Sequence, residues 1–407
     1  MMISSQKQRD VKTTAGHQYN DNQSHNMTEI SATTQLITRH RDNWKRVIIK
    51  IGSALLIDDG SGRIRTSWLA SIARDVTFLR AQGYQVIIVS SGAIGLGRKI
   101  LALSMSKKLE ENQAAAAVGQ IELAAAYRRI LGESDITTAQ ILLTYGDTEE
   151  RRRYLNARNT INRLLDLNVV PLINENDTVA TDEVRYGDND RLAARVASMC
   201  EADCLFLLSD INGLYTMNPS NNPEAELVRE VKNITPAIEH MAGDPISTGF
   251  GSGGMITKIA AAKIAVASGC HMVITKGTDF EPIQKYFAGG KGTWFHASGN
   301  PLASKKKWIG ASLDSAGTVT IDDGAMRALQ SGKSLLPAGI IRVDGTFDRG
   351  DTVRIIDQAG QTIGQGLTAY CAKDIIKLMG RKSAEIEKIL GYSGREEVIH
   401  RNDLVIN

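Results

Sequence analysis

Short apolar segments alternate with longer segments of helical pattern along most of this 407-residue chain, and this alternation constrains the fold more than any other feature. The strand-like runs begin at Val47, Val86, Ile136, Val169, Leu205 and Met272. Helices are predicted near 68–79, 113–131, 149–167, 190–202 and 255–267. Apolar strands that alternate with helices indicate a mostly parallel sheet with helices on both faces. The sequence therefore predicts an α/β fold, specifically a three-layer αβα sandwich.

The pattern changes near residue 298, where a second unit is predicted. A polar joint with three consecutive lysines, at 305–307, precedes short segments that are punctuated by glycine. These segments, at 318–321, 339–343, 352–356 and 361–366, indicate a small β-rich domain. Residues 1–43 are rich in Gln, Asn, Ser and Thr, which predicts a disordered tail. The predicted divisions are a tail at 1–43, an α/β domain at 44–297, a linker at 298–313 and a β-rich domain at 314–407.

Composition excludes several classes of protein. The net charge of +3 is too small for an electrostatic nucleic-acid binder, and no apolar run approaches the ~20 residues of a membrane span. The four cysteines form no CxxC pair and lie in or beside apolar stretches, which is typical of free thiols in a reducing compartment. No Cys/His spacing indicates zinc. A cytoplasmic location without a membrane partner is expected.

Polar residues that follow the predicted strands are the first candidates for a functional site, because ligands of parallel sheets bind beyond the carboxyl ends of the strands. Lys50 interrupts an otherwise apolar strand, where an unpaired ammonium group would be costly. It either reaches solvent at the strand end or contacts a bound anion. The loops at 174–177 and 187–190 are rich in carboxylates and amides. They are either solvated caps or part of the same site.

A glycine-rich segment at 249–258 precedes the helix that begins near residue 255. The N-terminus of that helix would favour a phosphate group, although a plain flexible loop fits the pattern equally well. The segment lacks the GK[ST] order of a Walker A motif, and glycines 92, 95 and 97 have the wrong order for a dinucleotide fingerprint. Lys258, in the first turn of the helix, opposes the helix dipole unless an anion lies nearby.

These parts fit phosphoryl transfer to a carboxylate. Such an acceptor is already deprotonated near pH 7 and needs no general base. The obstacle is the repulsion between two anions, about 4 kcal/mol for each pair of unit charges at ~4 Å and an effective dielectric constant near 20. Lysines, backbone N–H groups and Mg²⁺ would neutralise this repulsion.

Read in order, the motifs resemble the amino acid kinase family and, within it, the glutamate 5-kinases. The matching stretches are 48–53 (IIKIGS), 89–94 (VSSGAI), 155–158 (LNAR), 171–177 (PLINEND), 186–190 (YGDND), 208–215 (LSDINGLY) and 251–258 (GSGGMITK). The stretches 345–351 (GTFDRGD) and 353–357 (VRIID) resemble a PUA domain, an appendage of many bacterial members. The resemblance covers the whole chain except the first 43 residues.

The resemblance also implies roles for individual residues. Lys50 and Lys258 would contact the transferring phosphoryl group, and Asp190 would orient both lysines. Glutamate would be held by Ser91, Asp177, Asp188 and Asn189. The nucleotide would be held by Lys50, Ser209, Asp210, Ser252, Gly253, Gly254, Met255, Ile256, Thr257 and Lys258. No protein ligand is assigned to the metal.

The implied activity is ATP-dependent phosphorylation of the γ-carboxylate of glutamate, the first step of proline biosynthesis, with ATP and Mg²⁺. Self-association and feedback inhibition by proline are common in the family and are implied as well. Two alternatives remain: another enzyme of the same fold, acting on a substrate such as aspartate or N-acetylglutamate, and a non-catalytic protein that binds RNA through its PUA-like domain. The INEND and GDND loops favour the glutamate 5-kinase interpretation.

Overall fold

The computed structural model describes residues 44–58, 60–104, 108–179, 189–243, 254–299, 315–392 and 394–406. The predicted tail at 1–43 and nearly all of the predicted linker at 298–313 lie outside the described residues.

A large sheet forms the centre of the first unit. Its described strands are β1 (Arg46–Ile51), β2 (Gln85–Ser90), β3 (Thr138–Leu143), β4 (Val170–Glu175), β5 (Cys204–Ser209), β6 (Glu230–Val231), β7 (His271–Lys276) and β8 (Gly292–Phe295). Their order across the sheet is β3-β4-β2-β1-β5-β7-β8-β6. The pairings are parallel except that of β7 with β8. Because β1 is central, its carboxyl end lies near the middle of the edge where ligands bind in such sheets.

Helices cover both faces of this sheet. Those in the described part of the first unit are α1 (Ser53–Leu56), α2 (Thr66–Ala81), α3 (Ala93–Ile100), α4 (Leu109–Gly132), α5 (Tyr145–Glu149), α6 (Arg151–Asp166), α7 (Asn189–Met199), α8 (Pro236–Met241), α9 (Met255–Ala267) and α10 (Pro282–Phe287). Residues of α2, α4 and α10 share one apolar core with Ile49 and Ile51. Residues of α6, α7 and α9 share a second core with Ile48. Lys50 therefore projects from β1 toward the layer that contains α7 and α9, since alternate residues of a strand point to the same face.

The second unit is built on a separate sheet with its own core. Its strands are β9 (Gly317–Ile321), β10 (Ile340–Gly345), β11 (Thr352–Ile356), β12 (Thr362–Leu367) and β13 (Leu404–Ile406), in the order β10-β9-β11-β12-β13. The helices α11 (Asp323–Gln330), α12 (Ala372–Leu378) and α13 (Ile386–Leu390) flank it. The predicted αβα sandwich with an additional β-rich unit is confirmed.

Several elements differ from the sequence prediction. The strands β6, β8 and β13 were not predicted, because segments of two to four residues are too short to show a period. The predicted helix at 149–167 begins at Arg151, and Tyr145–Glu149 forms a separate short helix. The side chain of Thr144 caps that short helix by accepting from the backbone N–H of Asp147.

The glycines at 92–97 have a packing role. Gly92 precedes α3 with a φ of +115°, a conformation that favours glycine. A Cβ atom on Gly97 would lie 1.7 Å from the carbonyl oxygen of Ala115, and one on Gly119 would lie 1.8 Å from that of Ala93. Helices α3 and α4 thus approach each other backbone to backbone, which only glycine permits at both contacts.

The two units contact each other along α6. Arg158 donates to both carboxylate oxygens of Asp403, at 3.1 Å each, and both side chains are buried. Arg151 donates to the carbonyl oxygen of Gly350, and Arg395 donates to Asn159 Oδ1 at 2.5 Å. No described helix combines the length and the apolar composition that a bilayer crossing requires.

Candidate active site

The carboxyl ends of β1, β2, β4 and β5 meet the N-termini of α7 and α9 at one edge of the large sheet. Parallel pairing places Ile51 beside Ser90 and beside Leu208, so the residues that follow these strands are close in space. Most of the candidate residues lie along this edge. Asp188, Ser252 and Gly253, which were also predicted to belong to the site, lie outside the described residues.

Lys50 and Lys258 converge on Asp190. The ammonium nitrogen of Lys50 lies 2.5 Å from Asp190 Oδ1, and that of Lys258 lies 3.6 Å from Oδ2. The hydroxyl group of Thr257 donates to Asp190 Oδ2 at 2.9 Å. The side chains of both lysines are only 8% exposed and that of Asp190 only 2%. Two cations that are far apart in sequence therefore share one buried carboxylate.

The pKa values of this cluster follow from burial and from the neighbouring charges. Burial alone would raise the pKa of Asp190, but the ammonium groups of Lys50 and Lys258 outweigh it and hold the pKa below its usual value. Burial lowers the pKa of Lys258, and the charge of Lys50 acts in the same direction. Asp190 and Asp210 oppose that decrease. The carboxylate of Asp190 thus remains ionised near neutral pH.

Asn189 organises the polar pocket beside the lysines. Its amide nitrogen donates to the hydroxyl oxygen of Ser91 at 2.8 Å, to the carbonyl oxygen of Ser90 at 2.9 Å and to Asn174 Oδ1 at 2.8 Å. Asn174 in turn donates to Gln120 Oε1 at 2.7 Å. The amide oxygen of Asn189 is buried without a hydrogen-bond partner. A buried acceptor of this kind is suited to a ligand that brings a donor.

Asp177 lies just beyond β4, in the turn that follows Asn176. It is 9% exposed, and burial raises the pKa of its carboxyl group to about 6. Among the described residues, no cation offsets that burial. A buried carboxylate without a compensating charge is suited to a cationic group of a ligand.

The remaining candidates follow β5 or begin α9. The buried Ser209 donates to Asp210 Oδ1 at 3.0 Å, and Asp210 itself is exposed. Gly254 precedes α9, whose first turn contains Met255, Ile256, Thr257 and Lys258. The free N–H groups at such a helix N-terminus, together with a dipole worth roughly half a charge, favour a phosphate group.

Comparisons of the sequence with known proteins give matches to two domain families. Residues 45–276 match the model of the amino acid kinase family, and residues 317–390 match that of the PUA domain. A glutamate 5-kinase of Paramagnetospirillum magneticum is 54% identical over 89% of this chain and 98% of its own length. One of Rhodopseudomonas palustris is 55% identical over 89% of this chain and 97% of its own length.

The chain belongs to the amino acid kinase family, among its glutamate 5-kinases.

Solved structures of the amino acid kinase fold are more distant. Carbamate kinase from Giardia lamblia bound to AMP-PNP matches with a TM-score of 0.45 and 18% identity, over 63% of this chain and 99% of its own. UMP kinase from Ureaplasma parvum matches with a TM-score of 0.43 and 15% identity, over 62% and 97% of the two chains.

The sequence interpretation missed part of the polar pocket. Asn174 belongs to the INEND motif but was not singled out, and Gln120 was not considered at all. The signal for Gln120 was a large polar residue on the buried side of an alanine-rich helix. Arg158, in the LNAR stretch of the family resemblance, was given no role. Its buried ion pair with Asp403 now supplies a structural one.

Proposed function

We propose that this chain transfers the terminal phosphoryl group of Mg·ATP to the side-chain carboxylate of glutamate, giving γ-glutamyl phosphate, the first intermediate of proline biosynthesis. The observation that carries the proposal is the convergence of Lys50 and Lys258 on Asp190, beside the pocket of Ser91 and Asn189. The membership of the chain among the glutamate 5-kinases supports the choice of substrate.

The reaction needs charge neutralisation more than proton transfer. The side-chain carboxyl group of glutamate, with an ordinary pKa of about 4.3, is ionised at neutral pH. One of its oxygens attacks the γ-phosphorus, and the bond from that phosphorus to the bridging oxygen of ADP breaks. No proton moves, so no general base is required.

The two lysines would supply the cationic surroundings of the transferring group. Their ammonium groups approach from two different elements, β1 and α9, and are held near each other by the carboxylate of Asp190. Because these groups are buried and already oriented, they would not have to reorganise when negative charge redistributes in the transition state. Asp190 is therefore a positioning residue, and the lysines are the catalytic ones.

Glutamate would bind in the adjacent pocket. Asp177 is suited to its ammonium group, because this carboxylate is buried and no cation in the described part of the chain compensates its charge. The hydroxyl group of Ser91 and the amide of Asn189 would contact its carboxylates or its ammonium group. Asp188 is proposed for the same pocket from the family motif alone.

The nucleotide would bind across β5 and the N-terminus of α9. Ser209, Asp210 and the segment 252–258 are proposed to hold it, together with the two lysines. No group of three or more His, Cys, Asp or Glu side chains in the described part of the chain is placed to hold a metal ion. Mg²⁺ would enter on the phosphate oxygens as part of the substrate, which is its usual mode with nucleotides.

A hydroxylamine-trapping assay tests the proposal. Hydroxylamine converts an acyl phosphate to a stable hydroxamate, so the assay reports the product directly. With Mg·ATP and a panel of glutamate, aspartate and N-acetylglutamate, we expect turnover of glutamate and at least ~100-fold lower kcat/KM for the other two. Turnover of aspartate or N-acetylglutamate without turnover of glutamate would contradict the substrate assignment.

Three further properties are proposed because they are common in the family. They are self-association of the chain, feedback inhibition by proline and a cytoplasmic location. Domain boundaries at 44–297 and 314–407 are proposed as well, supported by the absence of a shared core between the two described units. An RNA-binding role of the PUA domain remains the alternative from another class, and an RNA-binding assay at physiological salt would reveal it.

A further inference from the structure

A large cavity lies between α6 and the PUA domain, away from the candidate active site. Its volume is about 710 Å³, within the range of ligand-binding cavities. One wall is built from α6, including Arg152, Asn162 and Arg163. The opposite wall includes Arg349 and Arg395 of the PUA domain. The cavity therefore exists only while the two domains are in contact.

Three of the four arginines that line this cavity have no balancing partner in the described part of the chain. Arg152, Arg163 and Arg349 have neither an ion-pair nor a hydrogen-bond partner for their guanidinium groups among the described residues. Arg349 lies close enough to Arg395 for their charges to repel each other. The guanidinium group is the preferred protein ligand for carboxylate and phosphate, because its N–H groups match two oxygens at once. A cluster of unbalanced guanidinium groups thus favours an oxyanion.

Asn162 provides a second and independent observation. It lines the cavity, and its amide oxygen is buried without a hydrogen-bond partner. Buried polar atoms are nearly always satisfied, so this end of the amide is suited to a ligand that fills the cavity. A protonated phosphate oxygen would satisfy it directly, whereas an ionised carboxylate would do so only through a bridging water molecule.

The carboxylates of the cavity limit the size of the anion. Asp166, Asp348 and Asp374 also line it. Asp374 is already engaged, by Lys377 at 3.2 Å and by the hydroxyl group of Tyr392 at 2.8 Å. The other two would repel a long polyanion that ran along the cavity. A small anion held among the arginines avoids them, and this distinguishes the site from an RNA-binding surface.

We propose that the cavity between α6 and the PUA domain binds a small oxyanion, a phosphate or a carboxylate, through Arg163 and Arg349 from its two walls. This site does not depend on the proposed kinase activity. Because both domains contribute arginines, the bound anion stabilises the contact between them.

Cys371 gives a direct readout of occupancy. It lines the cavity and is partly exposed, whereas Cys200, Cys204 and Cys270 are buried. The full chain is treated with iodoacetamide in the presence of inorganic phosphate or succinate as probe. Peptide mass spectrometry then measures the rate at which Cys371 is alkylated. Calorimetric titration with the same probes provides a second measurement. We expect at least one probe to slow alkylation by fivefold or more and to give a binding heat.

Three variants test whether Arg163 and Arg349 are responsible for the protection of Cys371 and for the binding heat. Protection of Cys371 and the corresponding heat should disappear in the double variant Arg163→Gln/Arg349→Gln. They should persist in Arg153→Gln, which removes an exposed arginine of the same helix that pairs with Glu150 at 2.8 Å. They should also persist in Lys258→Gln, which removes a cation of the candidate active site instead.

The outcomes separate the sources of the anion. Protection by phosphate alone identifies a phosphate site, and protection by succinate alone identifies a carboxylate site. If neither probe protects Cys371 and neither gives a heat that depends on Arg163 and Arg349, the proposal is overturned. It is equally overturned if an RNA oligonucleotide protects Cys371 and both small anions fail to do so.

Discussion

Arg158 of α6 and Asp403 of the β-rich second unit form a buried, two-pronged ion pair that joins the two units. Both N–O distances are 3.1 Å, and both side chains are 6% exposed. Arg395 lies 3.6 Å from the same carboxylate and supports it from the PUA side. The pair is separated by 245 positions in sequence, so it fixes the orientation of a distant segment on the kinase domain.

Removal of one partner of this pair should be costly. In Arg158→Met, Asp403 would remain buried without its principal cation, and such changes typically cost about 3–5 kcal/mol of stability. Urea unfolding of Arg158→Met, Asp403→Asn and the double variant should give a coupling free energy above ~1 kcal/mol. The exposed pair of Arg153 and Glu150 on the same helix serves as the control, with an expected coupling below ~1 kcal/mol. Additive losses at Arg158 and Asp403 would show that the two side chains do not interact.

The negative charge of Asp177 is expected to destabilise the folded state and to be needed for glutamate binding. Burial raises the pKa of its carboxyl group to about 6, above the value near 3.9 of an unfolded chain. The folded state therefore binds a proton more tightly, and the stability cost of ionisation grows as pH rises from about 4 to about 6. We expect Asp177→Asn to be more stable than the parent at pH 8 by on the order of 2 kcal/mol, and equal to it near pH 4.

The same substitution should weaken glutamate binding. Because the lost charge would face the ammonium group of the substrate, KM for glutamate should rise by about tenfold or more while KM for ATP is unchanged. Steady-state kinetics and urea unfolding of the same preparations measure both effects. An Asp177→Asn variant with unchanged KM for glutamate would exclude the proposed role of this carboxylate.

We expect that a side chain is not tolerated at position 97, whereas position 95 accepts one. A Cβ atom at position 97 would lie 1.7 Å from the backbone oxygen of Ala115, and α3 could accommodate it only by moving away from α4. At position 95 the nearest atom is the flexible end of Ile57, at 3.3 Å. We expect Gly97→Ala to lose about 3 kcal/mol or more and Gly95→Ala to change stability by less than about 1 kcal/mol. Equal melting temperatures for the two variants would refute the close helix contact.

The fold was predictable from sequence because its strands are apolar on both faces and alternate with helices. The order of the strands was not, since apolar runs such as Val86 to Val89 and Leu205 to Leu208 carry no information about their neighbours. Short strands such as Gly292–Phe295 also escaped prediction, because four residues show no usable period.

The site was partly predictable, because some of its residues are unusual for their position in the sequence pattern. Lys50 stood out as a charge within an apolar strand, and the family motifs drew attention to Lys258 and Asp190. The side chains that support the pocket did not stand out, because the partner of Asn174 is Gln120, 54 positions away on a helix. Sequence patterns identify unusual residues, whereas the pairing of distant residues depends on how the helices pack on the sheet.

The convergence of two lysines on one carboxylate is the basis of the proposed chemistry, and the kinetics of Lys258→Ala test it most directly. Lys263→Ala is the matched control, because Lys263 lies on the same helix and forms an exposed ion pair with Glu239. We expect kcat of Lys258→Ala to fall by at least ~100-fold, with KM for glutamate and ATP within about threefold of the parent and a cooperative unfolding transition retained. Lys263→Ala should match the parent in kcat. A folded Lys258→Ala variant with the kcat of the parent would contradict the account.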